Sequence, residues 1–338
     1  MKSSGCSCFR SFSIFTAKIH PMFLNIARSG QNQWWAYLIT LLLVIAAVVL
    51  AQVPLALIFL AKANSAGLDP YESQEMLQNM DFTAIGISQN MAIVLMLLPF
   101  AVGLLVLWFS VKFIHRRNPK TMINPSGRIN WNKVFFGFSL WLLLTACLEV
   151  VFYLLDPGSY SLQFQPGPFI VLLVISLLLF PLQTSFEEIL FRGYLMQGLG
   201  LLTRRPWVPL LLTSVGFGLM HYMNPEVQEF GAGWAMSYYI GVGLFLGFIT
   251  LLDDGLELAL GVHAATNIYS ALFVTFDSSA VQTPAIFKAA EVHIEWTLAG
   301  LIAAAVVFVF LSSKKYGWND WSRWLRSPES ENDDFLNA

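Results

Sequence analysis

Three clusters of polar side chains stand inside otherwise apolar stretches: Glu187, Glu188 and Arg192; His221, four residues after Phe217; and His263 with Asn267. Carboxylates and imidazoles are the side chains that move protons near neutral pH. An ionisable group within a membrane segment costs about 2.5–3.5 kcal/mol on insertion scales, so each such group needs a reason to be there. Residues four apart on a helix share a face. Glu188 therefore lies over Arg192 and His263 over Asn267, while Glu187 is turned about 100° from Glu188. The spacing predicts an ion pair between Glu188 and Arg192 and leaves Glu187 for proton transfer.

The elements that must position these groups are membrane helices. Of 338 residues, 56% are hydrophobic and only 12% charged, against about 25% charged in ordinary soluble domains. A bilayer core takes about 20 apolar helical residues. That ruler finds eight segments, near 35–61, 84–111, 134–155, 169–200, 207–223, 234–252, 256–275 and 294–313. The expected fold is all-α, a polytopic transmembrane helical bundle of about eight spans. Of the 19 lysines and arginines, all but Lys62 and Lys288 then fall on one side, with Arg192 counted among them. Basic residues are retained in the cytoplasm, so both termini are expected to be cytoplasmic, and a bacterial inner membrane is the expected location. A net charge of −2 argues against nucleic acid as a partner. The expected partners are the lipid bilayer and a membrane-associated peptide or protein. Cys6, Cys8 and Cys147 make no disulfide framework.

Depth allows the clusters to meet. Glu187 lies 17 residues before Arg204 and His221 lies 16 after Arg205. A helical hairpin turning there carries both on the order of 25 Å along its axes. The fourth segment is too long for one span, and a kink is expected at Pro181. Other polar residues receive ordinary readings. Asp253, Asp254 and Glu257 are expected to form a solvated helix cap, and Glu149 is a further partner open to Arg192. His20, His115 and His293 are expected to face solvent, and Gly241, Gly243 and Gly247 to form a small-residue packing face.

Taken together and in this order, the clusters resemble the CPBP family of intramembrane proteases. That family includes the type II CAAX prenyl endopeptidases and bacterial lysostaphin-resistance and bacteriocin-immunity proteins. Its motifs E-E-x-x-x-R, F-x-x-x-H and H-x-x-x-N/D are filled here by Glu187, Glu188 and Arg192; Phe217 and His221; His263 and Asn267. The resemblance spans residues 130–275. It sets that core apart from a 1–33 cytoplasmic segment, a 34–129 pair of helices with a basic loop, a 276–313 loop and last helix, and a 314–338 polar tail. It implies an endopeptidase in which Glu187 and His221 activate a water, His263 and Asn267 hold the polarised carbonyl, and Glu188 with Arg192 tunes or supports them. Glu187, His221 and His263 also make a plausible zinc set with an open position, and the residues leave metal-assisted and metal-free catalysis both open. Two readings from other classes remain: a non-catalytic immunity or scaffold protein, and a proton-coupled transporter. A protease needs the four groups on one cavity, a scaffold needs them mutually saturated, and a transporter needs a path through both leaflets.

Overall fold

A computed structural model describes residues 23–80, 82–203, 205–321 and 325. Its long helices follow the apolar runs: α1 (Trp34–Ala66), the short capped α2 (Pro70–Asn79), α3 (Gln89–Phe113), α4 (Trp131–Leu155) and α5 (Pro166–Glu188). A π-helical turn (Ile189–Met196) joins α5 to α6 (Gln197–Thr203), followed by α7 (Trp207–Met220), α8 (Pro225–Phe230), α9 (Ala232–Asp253), α10 (Glu257–Leu272) and α11 (Ile294–Tyr316). Three strands, β1 (Tyr160–Leu162), β2 (Val274–Phe276) and β3 (Phe287–Ala289), form a small sheet in the order β1-β3-β2. Strand β3 runs antiparallel to β1, with Tyr160 opposite Ala289, and parallel to β2, with Val274 opposite Phe287.

Each of the eight expected segments is a helix. Six are long and apolar enough to cross a bilayer, and the protein is a multi-pass membrane protein. The other two, α7 with 14 residues and α10 with 16, rise only about 21 and 24 Å. Helix α10 is packed against α4, α5 and α9 and is buried along almost its whole length. It is a core helix that lipid hardly touches, which allows it to carry polar groups at low cost.

Consecutive helices alternate in direction, so the connections collect at two ends. At one end Leu256 N–H donates to Ile123 O (2.8 Å), Lys133 pairs with Asp253 (2.8 Å), and Trp318 Nε1–H donates to Asp253 (3.2 Å). This end holds Arg116, Arg117, Lys120, Arg128, Arg205, Lys314 and Lys315. At the other end the sheet joins residues 156–165 to 273–293, Gln282 donates to Asn79 O, and Ala280 N–H donates to Glu226.

Helices α4 and α10 approach so closely that only glycine fits between them. A Cβ on Gly261 would lie 2.1 Å from Val134 O and 2.6 Å from Phe138 N, and one on Gly137 would lie 2.7 Å from Leu258 O. Small residues let membrane helices pack backbone to backbone. Gly261→Ala is expected to destabilise the protein by about 1–3 kcal/mol or more, read as a lower melting temperature in detergent. An unchanged midpoint would contradict this packing. Of the three glycines expected to form one packing face on α9, Gly243 and Gly247 face α7, a Cβ on them meeting Ser214 at 3.0 Å and Leu210 at 2.5 Å, whereas Gly241 faces Leu301 of α11.

Several expectations are corrected. Helix α5 continues past Pro181 without ending, and an irregular π turn follows at Ile189–Met196. Glu257 is fully buried, accepting from Asn124 Nδ2 (2.8 Å) and Asn130 N (3.0 Å), so it is an internal tie between connections rather than a solvated cap. Asp253 is likewise paired, and Asp254 accepts from Phe23 N. His115 is buried: its Nδ1–H donates to Gln31 O (2.7 Å), and Nε2 accepts from the Tyr194 hydroxyl (2.8 Å). Burial holds that imidazole below its usual pKa, in its neutral form. Of the 1–33 segment, the described residues from Phe23 pack on the bundle, with Leu24 against Gly200. His20 lies outside the described residues, as does most of the polar tail.

Candidate active site

Helix α5 and the π turn deliver the first cluster, α7 the second and α10 the third. Glu188 and Arg192 are fully buried, and Arg192 Nη1 donates to Glu188 Oε1 at 2.7 Å. The guanidinium also donates from Nη2 to Gly243 O (3.0 Å) and lies 4.6 Å above the Phe217 ring. Arg192 is therefore an interior group. Glu149 does not pair with it but accepts from the Tyr160 hydroxyl at 2.6 Å, since α4 places that acid near the sheet.

His263 joins the ion pair to the chemistry. Its Nδ1–H donates to Glu188 Oε1 at 2.8 Å, and its Nε2 lies 3.5 Å from Glu187 Oε2. That Glu187 oxygen is buried without a hydrogen-bond partner. His221 is tethered in the same way, its Nδ1–H donating to Phe217 O (2.8 Å), while its ring stacks on Tyr239 at 4.3 Å. In both histidines the bond at Nδ1 fixes the ring, and in His263 it turns Nε2 to Glu187. Asn267 Nδ2 donates to Gln183 Oε1 at 2.8 Å.

Glu187, His221, His263 and Asn267 all line one cavity of about 570 Å³. The family described as type II CAAX prenyl endopeptidase Rce1-like matches residues 166–269, a stretch that holds all three clusters. The uncharacterised protein YyaK of Bacillus subtilis (strain 168) is 36% identical over 203 residues, which cover 60% of this chain and 68% of that protein. The chain belongs to the CPBP family. Membership supports a protease embedded in the membrane. No solved structure matches the chain.

In this CPBP protein the motif phenylalanine is a platform. The Phe217 ring lies 4.7 Å from the His221 ring and 5.9 Å from that of His263, and it meets Phe191 edge-on at 5.5 Å. Two cavity residues go beyond the motifs. Gln183 orients Asn267, and its spacing four before Glu187 put it on the same helical face. Tyr239 supports His221 from the middle of α9, where the pair Tyr238-Tyr239 reads as ordinary aromatic packing. Nearer the sheet, Glu226 accepts from Ala280 N (2.8 Å), and burial pushes its carboxyl above the usual pKa.

Two sets of side chains have the chemistry to hold a metal in this CPBP protein. Among the described residues, Asp156, Glu291 and His293 bring ligand atoms within 4.8 Å of one another. His293 is thus half-exposed beside Asp156 (3.7 Å) and not simply a solvent-facing group. Glu187, His221 and His263 are not drawn together as closely, though all three line the cavity.

Proposed function

We propose that the protein hydrolyses a peptide bond inside the membrane. Glu187 and His221 take the proton from a water, and His263 with Asn267 holds the carbonyl oxygen as it becomes negative. The observation that carries this reading is that Glu187, His221, His263 and Asn267, delivered by three different helices, line one cavity, with Glu187 Oε2 3.5 Å from His263 Nε2.

His221 with its proton on Nδ1 presents a lone pair at Nε2, the state in which an imidazole accepts a proton from water. Attack on the carbonyl carbon transfers that proton to His221 or Glu187. It then passes to the amide nitrogen as the C–N bond breaks, so the carboxylate product retains the water oxygen. His263 donates to the oxyanion from Nε2 only as imidazolium, and Glu188 at Nδ1 holds the ring in place. Asn267 keeps one amide hydrogen for the same oxygen after bonding Gln183. Asn267→Ala is expected to lower kcat about 10²–10³-fold with KM little changed, measured with any substrate peptide cleaved by the wild type.

The side chains of Glu187, His221 and His263 are also of the kinds zinc selects. A bound zinc ion would supply Lewis acidity, lowering the pKa of a water to about 7. Metal analysis of the purified protein, together with the effect of a chelator on cleavage, separates the two forms of the mechanism. Cleavage at the wild-type rate by His221→Ala would overturn the proposed function. The scaffold and transporter readings are less well supported, because the four groups surround a cavity that extends toward one end of the bundle only.

A further inference from the structure

The cavity is asymmetric along the bundle. Among the described residues, its wall includes side chains from every connection at the end that carries the sheet: Met80, Asp156, Asn224, Glu226, Ser279 and Glu291 are examples. None comes from residues 23–33, 114–130, 203–206, 254–256 or 317–321 at the basic end. The sheet end is also where it meets solvent. Glu291 and Ser270 are exposed, and the side chains of Asp156 and His293 keep 34% and 39% of their accessibility. Basic residues stay in the cytoplasm, which puts the opening on the opposite, extracytoplasmic side.

Apart from its histidines, the ionisable side chains of the lining are carboxylates. Among the described residues no lysine or arginine borders the cavity, whereas Glu149, Asp156, Glu226 and Glu291 do so in its outer half and Glu187 does so deeper. The walls between them are apolar and aromatic, including Phe152, Trp296 and Leu301. A cleft lined by one sign of charge with low-dielectric walls concentrates counter-ions, and aromatic faces also attract cations.

We propose that the cavity admits its substrate, and the water that cleaves it, from the extracytoplasmic side, and that it selects segments bearing a positive charge beside apolar residues. Calling the occupant a substrate rests on the hydrolase reading above. The side of entry and the charge preference are properties of the cavity and are testable without turnover.

The test uses the full chain carrying Cys6→Ser, Cys8→Ser and Cys147→Ser, with a single reporter added. Ser270→Cys places a thiol in the cavity three residues beyond Asn267, and Ser126→Cys places one at the basic end. Sealed right-side-out vesicles are treated, with chelator present, with two impermeant reagents, trimethylammonioethyl and sulfonatoethyl methanethiosulfonate. Ser270→Cys is expected to react in sealed vesicles, and Ser126→Cys only after permeabilisation. The cationic reagent should react with Ser270→Cys at least about 10-fold faster than the anionic one, after correction for their rates with a free small thiol. Glu291→Gln or Asp156→Asn should each reduce that preference. Protection of Ser270→Cys until permeabilisation, or failure to react even in detergent, overturns the entry route. A corrected ratio near one overturns the charge preference. Loss of proteolysis leaves these rates unchanged, so failure here is distinct from failure of the hydrolase reading.

Discussion

Glu187→Gln should lower kcat/KM about 10²–10⁴-fold, the usual contribution of a positioned general base, while leaving melting temperature and expression close to wild type. Glutamine has the size of glutamate and fills the same place on the cavity wall, but its carbonyl oxygen does not take a proton from water. The fall should appear in kcat, because the group acts on the reacting water rather than on substrate binding. Little structural loss is expected, since the Glu187 Oε2 atom makes no hydrogen bond for the substitution to break. A Glu187→Gln enzyme within a factor of ten of wild type would remove Glu187 from the chemistry.

Arg192→Met should have the opposite signature, a large loss of stability. The guanidinium and its partner Glu188 are both fully buried, and removing one member of such a pair costs about 3–5 kcal/mol because the other charge is stranded. Glu188 would keep only its bond from His263, and Gly243 O would lose its donor. The melting temperature in detergent should fall sharply. Adding Glu188→Gln to Arg192→Met should restore part of the loss, since no stranded carboxylate then remains. The restored protein should still cleave slowly, because the Glu188 carboxylate that accepts the His263 Nδ1–H bond is then gone. A single Arg192→Met variant as stable as wild type would show that the pair does not hold the site together.

The legible and illegible parts of this protein divide along a physical line. The helices could be read because a bilayer demands about 20 apolar residues per span, and the Glu188–Arg192 pair could be read because i,i+4 geometry is local. What escaped depends on partners distant in sequence. His115 looked like a loop histidine, yet it is bonded by Gln31 and Tyr194, 84 and 79 residues away. Glu257 looked like a cap until Asn124, 133 residues earlier, came to meet it. The same holds for the bond that His263 donates to Glu188, which ties the ion pair to a second helix across 75 residues. Pro181 sits inside a helix that continues past it, where buried Thr184 donates to Phe180 O at 3.0 Å. The π turn has no such marker. Gln183 was within reach of the spacing rule and Tyr239 was not.

The account stands or falls on a water being added across a peptide bond by these four side chains. Purified protein in liposomes, together with membrane proteins of the cell that expresses it, can be incubated in buffer made with H₂¹⁸O and the newly formed C-termini read by mass spectrometry. Wild-type protein should generate new termini whose carboxylates carry ¹⁸O, and Glu187→Ala and His221→Ala should generate none. The same labelled termini appearing at the wild-type level with both variants would contradict it.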